Sequence, residues 1–389
     1  MSYQHKQDSL TNKYPAISDL LVKAQKRMPH VAWEYLSSGT GDDYLLQRNK
    51  TDFHKISFLP RLCKGALEVE TSTQLLGKTY DAPFGIAPIG LSGLMWPKVE
   101  ILLAGSANRL RIPYSLSTLA TETPESVGPA VGDMGWFQLY PSADIAITAS
   151  VLERAKQSGF HTLLLTVDIP IASRRERTRR AGLTMPPKIT PRLMWQGMKH
   201  PSWSYHTLRR GLPRLRTIET YTNNPDMKLV SGFVNNRFGD INWDYCKKIK
   251  ELWKGDVIIK GILHPKDAEL AIEAGLDGIG VSNHGGRQFN AAPSAISVLP
   301  SIVETVDKRV PIIFDSGIRS GLDVMKALYL GADFVLAGRP FIAGVAALGK
   351  YGGDHVAHIL LDGYKNNMMQ LGVTTIDELR SADAIMGDG

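Results

Sequence analysis

Residues 310–340 read VPIIFDSGIRSGLDVMKALYLGADFVLAGRP. Pro311–Asp315 is a short apolar run, a glycine-rich turn follows, and Leu322–Leu330 repeats apolar side chains at helical spacing. Gly331 stands where a left-handed residue closes a helix, and a second apolar run, Asp333–Ala337, begins at once. The unit is strand, loop, helix, strand. Its strands lack a polar alternation, as strands buried on both faces of a parallel sheet require. Back along the chain the same beat recurs at Pro83–Ala87, Ile112–Leu116, Trp136–Tyr140, Thr162–Asp168, Val257–Gly261 and Gly278–Asn283. Helical patterns lie between the runs, among them Ala143–Ser158 before Gly159 and Pro265–Ala274 before Gly275. Eight units predict an α/β fold, a TIM (β/α)8 barrel. An open doubly wound sheet is the alternative, but eight units spread along the chain suit closure better.

Two stretches fall outside the beat. Residues 1–82 precede the first strand as a mainly helical lead-in, with Ile17–Leu36 its best helix. Arg175–Asp256 separates strands four and five by about twice the length a βα connection needs. The whole chain, 1–389, thus reads as one barrel domain carrying a basic insertion at 176–240.

The composition agrees. With 389 residues, 43% of them hydrophobic, the chain has material for a large core, which excludes disorder, collagen-like structure and a disulfide-stapled miniprotein. Cys63 and Cys246 form no C-x-x-C or Cys/His cluster, so no structural metal is expected; both are read as buried thiols in a reducing compartment. The N-terminus, MSYQHKQDSLTNKYP, has no apolar signal region, and no run reaches the roughly 18 apolar residues of a spanning helix. The expectation is a protein neither exported nor membrane-spanning. Its net charge of +7 is concentrated: between Arg174 and Arg216, twelve Lys and Arg accompany a single acid, Glu176, and the remainder is net acidic. No recognisable nucleic-acid reader accompanies that cluster, so partners other than nucleic acid are expected there.

In a TIM barrel, function sits at the C-terminal ends of the strands. Those ends are polar here: Gln138 and Tyr140, Thr166 and Asp168, Lys260, then Ser282, Asn283 and His284, Asp315, and Gly338-Arg339. DSGIRSG (315–321) and AGRP (337–340) follow strands seven and eight, where barrels hold cofactor phosphates. Their glycines let backbone N–H groups approach an anion, and Arg319 and Arg339 add charge-assisted bonds. In SNHGGRQ (282–288), His284 ends a strand, two glycines clear space beside it, and Arg287 follows, a base beside a cation suited to an anionic substrate. In TVDIPIASRR (166–175), Asp168 would orient the histidine, and Arg175 with Arg287 would clamp a carboxylate. The alternative is that Asp168 pairs with Arg175 and neither meets substrate.

SNHGGRQ, TVDIP, WFQLY, APIG, DSGIRSGLDVMKALYLGAD and AGRP, in this order, resemble the FMN-dependent L-2-hydroxy acid dehydrogenases and oxidases. The resemblance runs from WEYLSSG (33–39) to Leu379. It implies FMN contacts at Pro88, Ile89, Gly90, Ser117, Gln138, Thr166, Lys260 and Ser282, with the phosphate at Asp315, Ser316, Gly317, Ile318, Arg319, Gly338 and Arg339. It implies a substrate pocket of Tyr35, Tyr140, Arg175, His284 and Arg287. In those terms His284 is the base, Asp168 its support, Lys260 the stabiliser of negative charge on reduced flavin, and a metal has no part. Ile89-Gly90, where the family often has Thr-Ala, and Leu119, where some oxidases carry Trp, move the likeness away from glycolate oxidase and toward the mandelate and bacterial L-lactate dehydrogenases. HPSWSYHTLRRGLPRL (200–215) resembles a membrane-binding insertion found within the family.

The resulting expectation is FMN-dependent oxidation of a lactate- or mandelate-like L-2-hydroxy acid to the 2-oxo acid, electrons passing to a quinone or another membrane acceptor. The enzyme would be cytoplasmic and peripheral on the inner face of the cell membrane, touching anionic lipid through 177–216. By the resemblance it would be a homo-oligomer, a tetramer. A dioxygen-using oxidase and a non-redox barrel binding a phosphorylated ligand are the rivals. Nicotinamide is not expected, since no G-x-G-x-x-G follows a strand.

Overall fold

The computed structural model describes residues 9–142, 144–183, 190–221 and 241–387. The eight expected runs form one closed parallel barrel, with strands β1 (Phe84–Ile86), β2 (Tyr114–Ser117), β3 (Gly135–Leu139), β4 (Thr162–Thr166), β5 (Asp256–Ile262), β6 (Gly278–Val281), β7 (Ile312–Asp315) and β8 (Phe334–Ala337). Closure is made by β8 against β1, with Leu336 opposite Gly85. Strand interiors are buried throughout β1 to β4 and β6 to β8, the burial on both faces that their unbroken apolar runs imply. β1, β3, β4 and β6 end a residue or two before the apolar run does, because the ladder stops where the chain turns into its loop. Asp168, Asn283 and His284 therefore lie just beyond β4 and β6, at the mouth. The helices Ile145–Gln157, Pro265–Glu273 and Gly321–Tyr329 pack outside, and Gly159, Gly275 and Gly331 follow them at positive φ as expected.

The lead-in departs from a mainly helical reading. Ile17–Leu36 is two helices, Ile17–Arg27 and His30–Ser37. Pro29 forces the break, since Met28 before it is held extended (φ −100°, ψ 144°). A third helix, Tyr44–Thr51, follows, but residues 59–72 have no regular element and Thr73–Leu75 pairs antiparallel with Lys78–Tyr80. Leu76 and Gly77, both at positive φ, make the tight turn that sets this hairpin. The hairpin closes the bottom of the barrel: buried Tyr80 accepts a hydrogen bond from Trp136 Nε1 at 3.0 Å and packs on Phe334, at the starts of β3 and β8. Cys63 lies in the irregular stretch and is exposed, contrary to the expectation of a buried thiol, whereas Cys246 is buried.

In the insertion expected at 176–240, residues 184–189 and 222–240 lie outside the described residues. The rest forms helices Glu176–Arg180, Pro191–Lys199, Pro201–Arg210 and Arg216–Glu219. Part of the basic cluster turns inward. Arg177 holds Glu34 (2.7 Å) and Asp43 (2.5 Å), Arg210 grips buried Glu122, and Arg214 pairs with Glu219. Trp203, within the 200–215 stretch expected to meet the membrane, is buried instead, its Nε1 donating to the Leu94 carbonyl at 3.0 Å.

Candidate active site

Neighbouring strands bring their last residues together around the top of the barrel. Ser117 Oγ donates to Gln138 Oε1 (2.7 Å), and Gln138 Nε2 to Thr166 Oγ1 (2.9 Å), because β2, β3 and β4 run in register. Across β5, β6 and β7, Lys260 Nζ donates to Ser282 Oγ (2.8 Å) and pairs with Asp315 Oδ2 (2.9 Å), while Ser282 Oγ donates to Asp315 Oδ1 (2.6 Å). Burial alone would drive the Lys260 pKa down. Asp315 and Asp168 outweigh it and hold the amine above its ordinary value, so a fixed cation sits in the belt.

His284 Nδ1 lies 3.0 Å from Asp168 Oδ1. Asp168 thus pairs with the histidine and not with Arg175, which turns elsewhere, donating to Ser173 Oγ and Gln288 Oε1. Room for the pair comes from an irregularity in β5 between Lys260 and Ile262. Gly261 stands there at φ +115°, and a Cβ on it would sit 2.4 Å from Asp168 Cβ. Burial would raise the Asp168 pKa, but His284 and Lys260 bring it below its ordinary value and the carboxylate stays ionised. His284 is pushed below the usual histidine value by burial, which outweighs the pull of Asp168 in the other direction. A neutral imidazole beside a carboxylate carries its proton on Nδ1, leaving Nε2 to accept another. Nε2 faces the Tyr140 hydroxyl at 3.4 Å. Burial and the nearby Asp168 push the Tyr140 pKa up, so the phenol remains a donor.

Arg287 lies face-on to the Tyr35 ring, 4.8 Å from its centroid, and donates to the carbonyls of Tyr35 (2.6 Å) and Ser38 (3.2 Å). The Tyr35 hydroxyl donates to the Gly90 carbonyl at 3.1 Å. Burial, reinforced by Arg175, lowers the Arg287 pKa to about 10. Deeper toward β7 and β8, Arg339 donates to the carbonyls of Leu36, Gly285 and Ser38 at 2.9 to 3.0 Å, and Arg319 to that of Ile318 at 2.6 Å. Burial takes Arg319 to about 10 and, with Arg287 and Arg319 beside it, takes Arg339 well below its usual value. Among the described residues none of these four arginines has a carboxylate ion-pair partner. A cluster of half-buried cations satisfied only by neutral oxygens calls for anions.

The backbone is shaped for close approach at the same place. Ser316 and Gly317 have φ of 90° and 98°, and a Cβ on Gly317 would lie 1.9 Å from the Asn49 carbonyl oxygen. The helix Gly321–Tyr329, capped by Ser320, starts just beyond. The Asp315 side chain takes no part in this cradle, being turned to Lys260 and Ser282. These residues fit a flavin mononucleotide: the cradle with Arg319 and Arg339 would hold its phosphate, and Gln138, Thr166 and Lys260 would meet the polar edge of its ring.

A single cavity of about 320 Å³ joins the two ends. Of the residues expected at the site, all line it except Ser117, Asp168 and Ser282, which stand behind Gln138, His284 and Lys260 respectively. The sequence reading missed Leu36, Met95, Ile169, Ala172, Leu215 and Gln288, which also line the cavity. Leu36, Ile169, Ala172, Leu215 and Gln288 sit inside stretches already singled out, whereas Met95 carries no signal that separates it from core residues.

The chain matches the FMN-dependent dehydrogenase family over residues 24–385. The L-lactate dehydrogenase of Pseudomonas paraeruginosa is 37% identical over 374 residues, 95% of this chain and 98% of that protein. That of Xanthomonas campestris pv. campestris is 37% identical over 373 residues, 95% of this chain and 96% of that protein. Among solved structures, the monotopic membrane protein (S)-mandelate dehydrogenase superposes with a TM-score of 0.88 at 32% identity, covering 94% of this chain and 97% of that one. A lactate oxidase of Pediococcus acidilactici gives 0.82 at 30% identity, covering 96% and 95%. A closed barrel, an anion cradle after β7 and β8, and likeness along nearly the whole chain lead to one conclusion: this protein belongs to the FMN-dependent dehydrogenase family and takes FMN as its cofactor.

Proposed function

We propose that the protein oxidises a lactate- or mandelate-like L-2-hydroxy acid to the 2-oxo acid and passes the electrons to a quinone or another membrane acceptor. The observation that carries the reading is His284, backed by Asp168, in the same cavity as two arginines, Arg175 and Arg287, that have no acidic partner among the described residues. Those guanidiniums bind the substrate carboxylate, and Tyr35 and Tyr140 donate to its oxygens. His284 Nε2 takes one proton from the substrate, and the Asp168 carboxylate stabilises the imidazolium that results. Lys260 holds a positive charge in the belt where negative charge builds up. FMN, when bound, supplies the two-electron acceptor. The test is the visible spectrum under nitrogen: a panel of L-2-hydroxy acids should bleach the bound flavin, and heat should release it as FMN without a covalent link. A colourless protein, or flavin that no acid bleaches, would defeat the proposal. Rapid reoxidation by air within turnover would instead favour the dioxygen-using oxidase.

The clamp can be tested separately. Arg287→Met and Arg175→Met should each weaken binding of the acid by about 1.5–3 kcal/mol, the worth of a charged hydrogen bond. The methyl ester should be spared. A variant that keeps the wild-type preference for acid over ester would show that its arginine does not bind the carboxylate.

We further propose peripheral attachment to the cytoplasmic face of the membrane, by a homotetramer, through the insertion helices. No helix among the described residues is long and apolar enough to cross a membrane. Met194, Trp195, Met198 and Leu208 are exposed on Pro191–Lys199 and Pro201–Arg210, with Arg192, Lys199 and Arg209 among them. Cations near an anionic surface contribute about 1 kcal/mol each, while aromatic and apolar side chains enter the interface. Replacing these four apolar residues with Ser should abolish cosedimentation with anionic vesicles and leave flavin reduction by substrate intact. Equal binding by wild type and variant, or binding by neither, would refute the attachment.

A further inference from the structure

We propose that the return limb of the insertion, residues 210–216, forms a wall of the substrate pocket through Leu215 and sets the size of the uncharged side chain the acid can carry. The inference rests on the reading of the protein as a 2-hydroxy acid dehydrogenase and goes on to name the substrate's side chain. Once the cofactor belt, the base and the carboxylate clamp are assigned, the cavity keeps a set of apolar residues: Leu91, Met95, Leu119, Ile169, Ala172 and Leu215. They come from the loops after β1, β2 and β4 and from the insertion, whereas the phosphate cradle belongs to the loops after β7 and β8. No side chain in the set bears a charge or a hydrogen-bonding group. Such a wall accepts an alkyl or aryl substituent and rejects a second carboxylate, which would be buried there without a partner.

Leu215 is 2% exposed although it sits in an irregular stretch of an inserted segment. Two cations on either side of it explain why. Arg210 Nε donates to Glu122 Oε1 at 2.9 Å, its Nη2 grips Oε2, and Arg216 approaches the same carboxylate at 3.9 Å. Glu122 is itself buried, just past the loop that carries Leu119, and its backbone carbonyl accepts a hydrogen bond from Thr217 Oγ1 at 3.5 Å. Trp203 binds the carbonyl of Leu94, the residue before Met95. The limb and the helix that leads into it are therefore latched to two of the three loops that supply the rest of the wall. A structure that fixes a side chain this firmly against a cavity gives it a volume-selecting role, and one methylene in an apolar pocket changes discrimination by about 10- to 200-fold.

The experiment measures kcat/KM for L-lactate, L-2-hydroxyisocaproate and L-malate with an artificial dye acceptor, alongside FMN content. In Leu215→Ala the ratio of 2-hydroxyisocaproate to lactate should rise by about tenfold or more, and in Leu215→Phe it should fall by a similar factor. Malate should stay poor in both. Glu122→Gln, which keeps the shape and removes the charge that holds both arginines, should shift the ratio in the direction of Leu215→Ala by a smaller factor. Should Leu215→Ala fail to fold, Leu215→Phe and the milder Leu215→Val carry the same comparison. Unchanged ratios in FMN-loaded variants would overturn the wall, as would malate ranking above lactate in the wild type. Wild-type flavin that none of the three acids reduces would overturn the dehydrogenase reading itself, and the wall with it.

Discussion

Replacing His284 with Ala is expected to leave FMN bound and to slow anaerobic reduction of the flavin by substrate by about 10²–10⁴-fold, the usual worth of a positioned general base. The two halves of this expectation come from different parts of the cavity. Retention follows because the phosphate cradle and the belt of Gln138, Thr166 and Lys260 make no use of the imidazole. The loss of rate follows because burial keeps His284 neutral below the ordinary histidine value, with Nε2 open to the cavity and Nδ1 committed to Asp168. Among the described residues no other imidazole lines the cavity to replace it. The backbone at this position is left-handed, φ 57°, a conformation costing about 1 kcal/mol for any residue with a Cβ, so Ala inherits the strain of His and adds none. Stopped-flow reduction under nitrogen decides the matter, and a variant reduced at the wild-type rate would show that His284 is not the base.

His284 is one of four residues lining this cavity, with Leu91, Arg175 and Ser316, that adopt positive φ without being glycine. Strain held where chemistry is expected marks a part of the molecule that local rules do not describe. The barrel itself obeys those rules. A strand buried on both faces needs an apolar run, a glycine at positive φ closes the helices before several of the strands, and both leave local marks, so all eight strands were legible. The site was legible to the extent that polar residues ending barrel strands must meet at one mouth. What escaped the sequence was pairing across distance. Asp168 and His284 are 116 positions apart, and nothing local distinguishes that partnership from one with Arg175. Likewise the basic run between Arg174 and Arg216 looks uniform in sequence, yet Arg177 and Arg210 are held by Glu34, Asp43 and Glu122 from other parts of the fold. Trp203 and Leu215 escaped for the same reason: an apolar residue among charges reads alike whether it faces lipid, core or substrate. In the lead-in the missing information was local and was outweighed by helical spacing, since Pro29 and the Leu76-Gly77 pair mark the break and the turn.

Asp168→Asn is the variant that separates orientation of the base from its basicity. The carboxylate does two things to His284: it accepts the Nδ1 proton at 3.0 Å, and its charge raises the imidazole pKa against the stronger lowering by burial. Asparagine of the same shape removes the charge and can present an N–H to Nδ1, which favours the tautomer with the proton on Nε2, the wrong one for a base. The maximal rate of flavin reduction should therefore fall by about 10²–10⁴-fold, with FMN retained. The pH dependence has a definite sign. In the wild type the base is active when deprotonated, so the rate falls as pH drops through the His284 pKa, and this acid limb should lie below the ordinary histidine value. Loss of the Asp168 charge lowers that pKa further, so the limb should move to still lower pH even as the plateau drops. A variant that were merely misfolded or short of flavin would lose amplitude without moving the limb. A plateau and a limb both equal to the wild type would mean that Asp168 neither orients nor charges the histidine, and the 3.0 Å contact would then be structural alone.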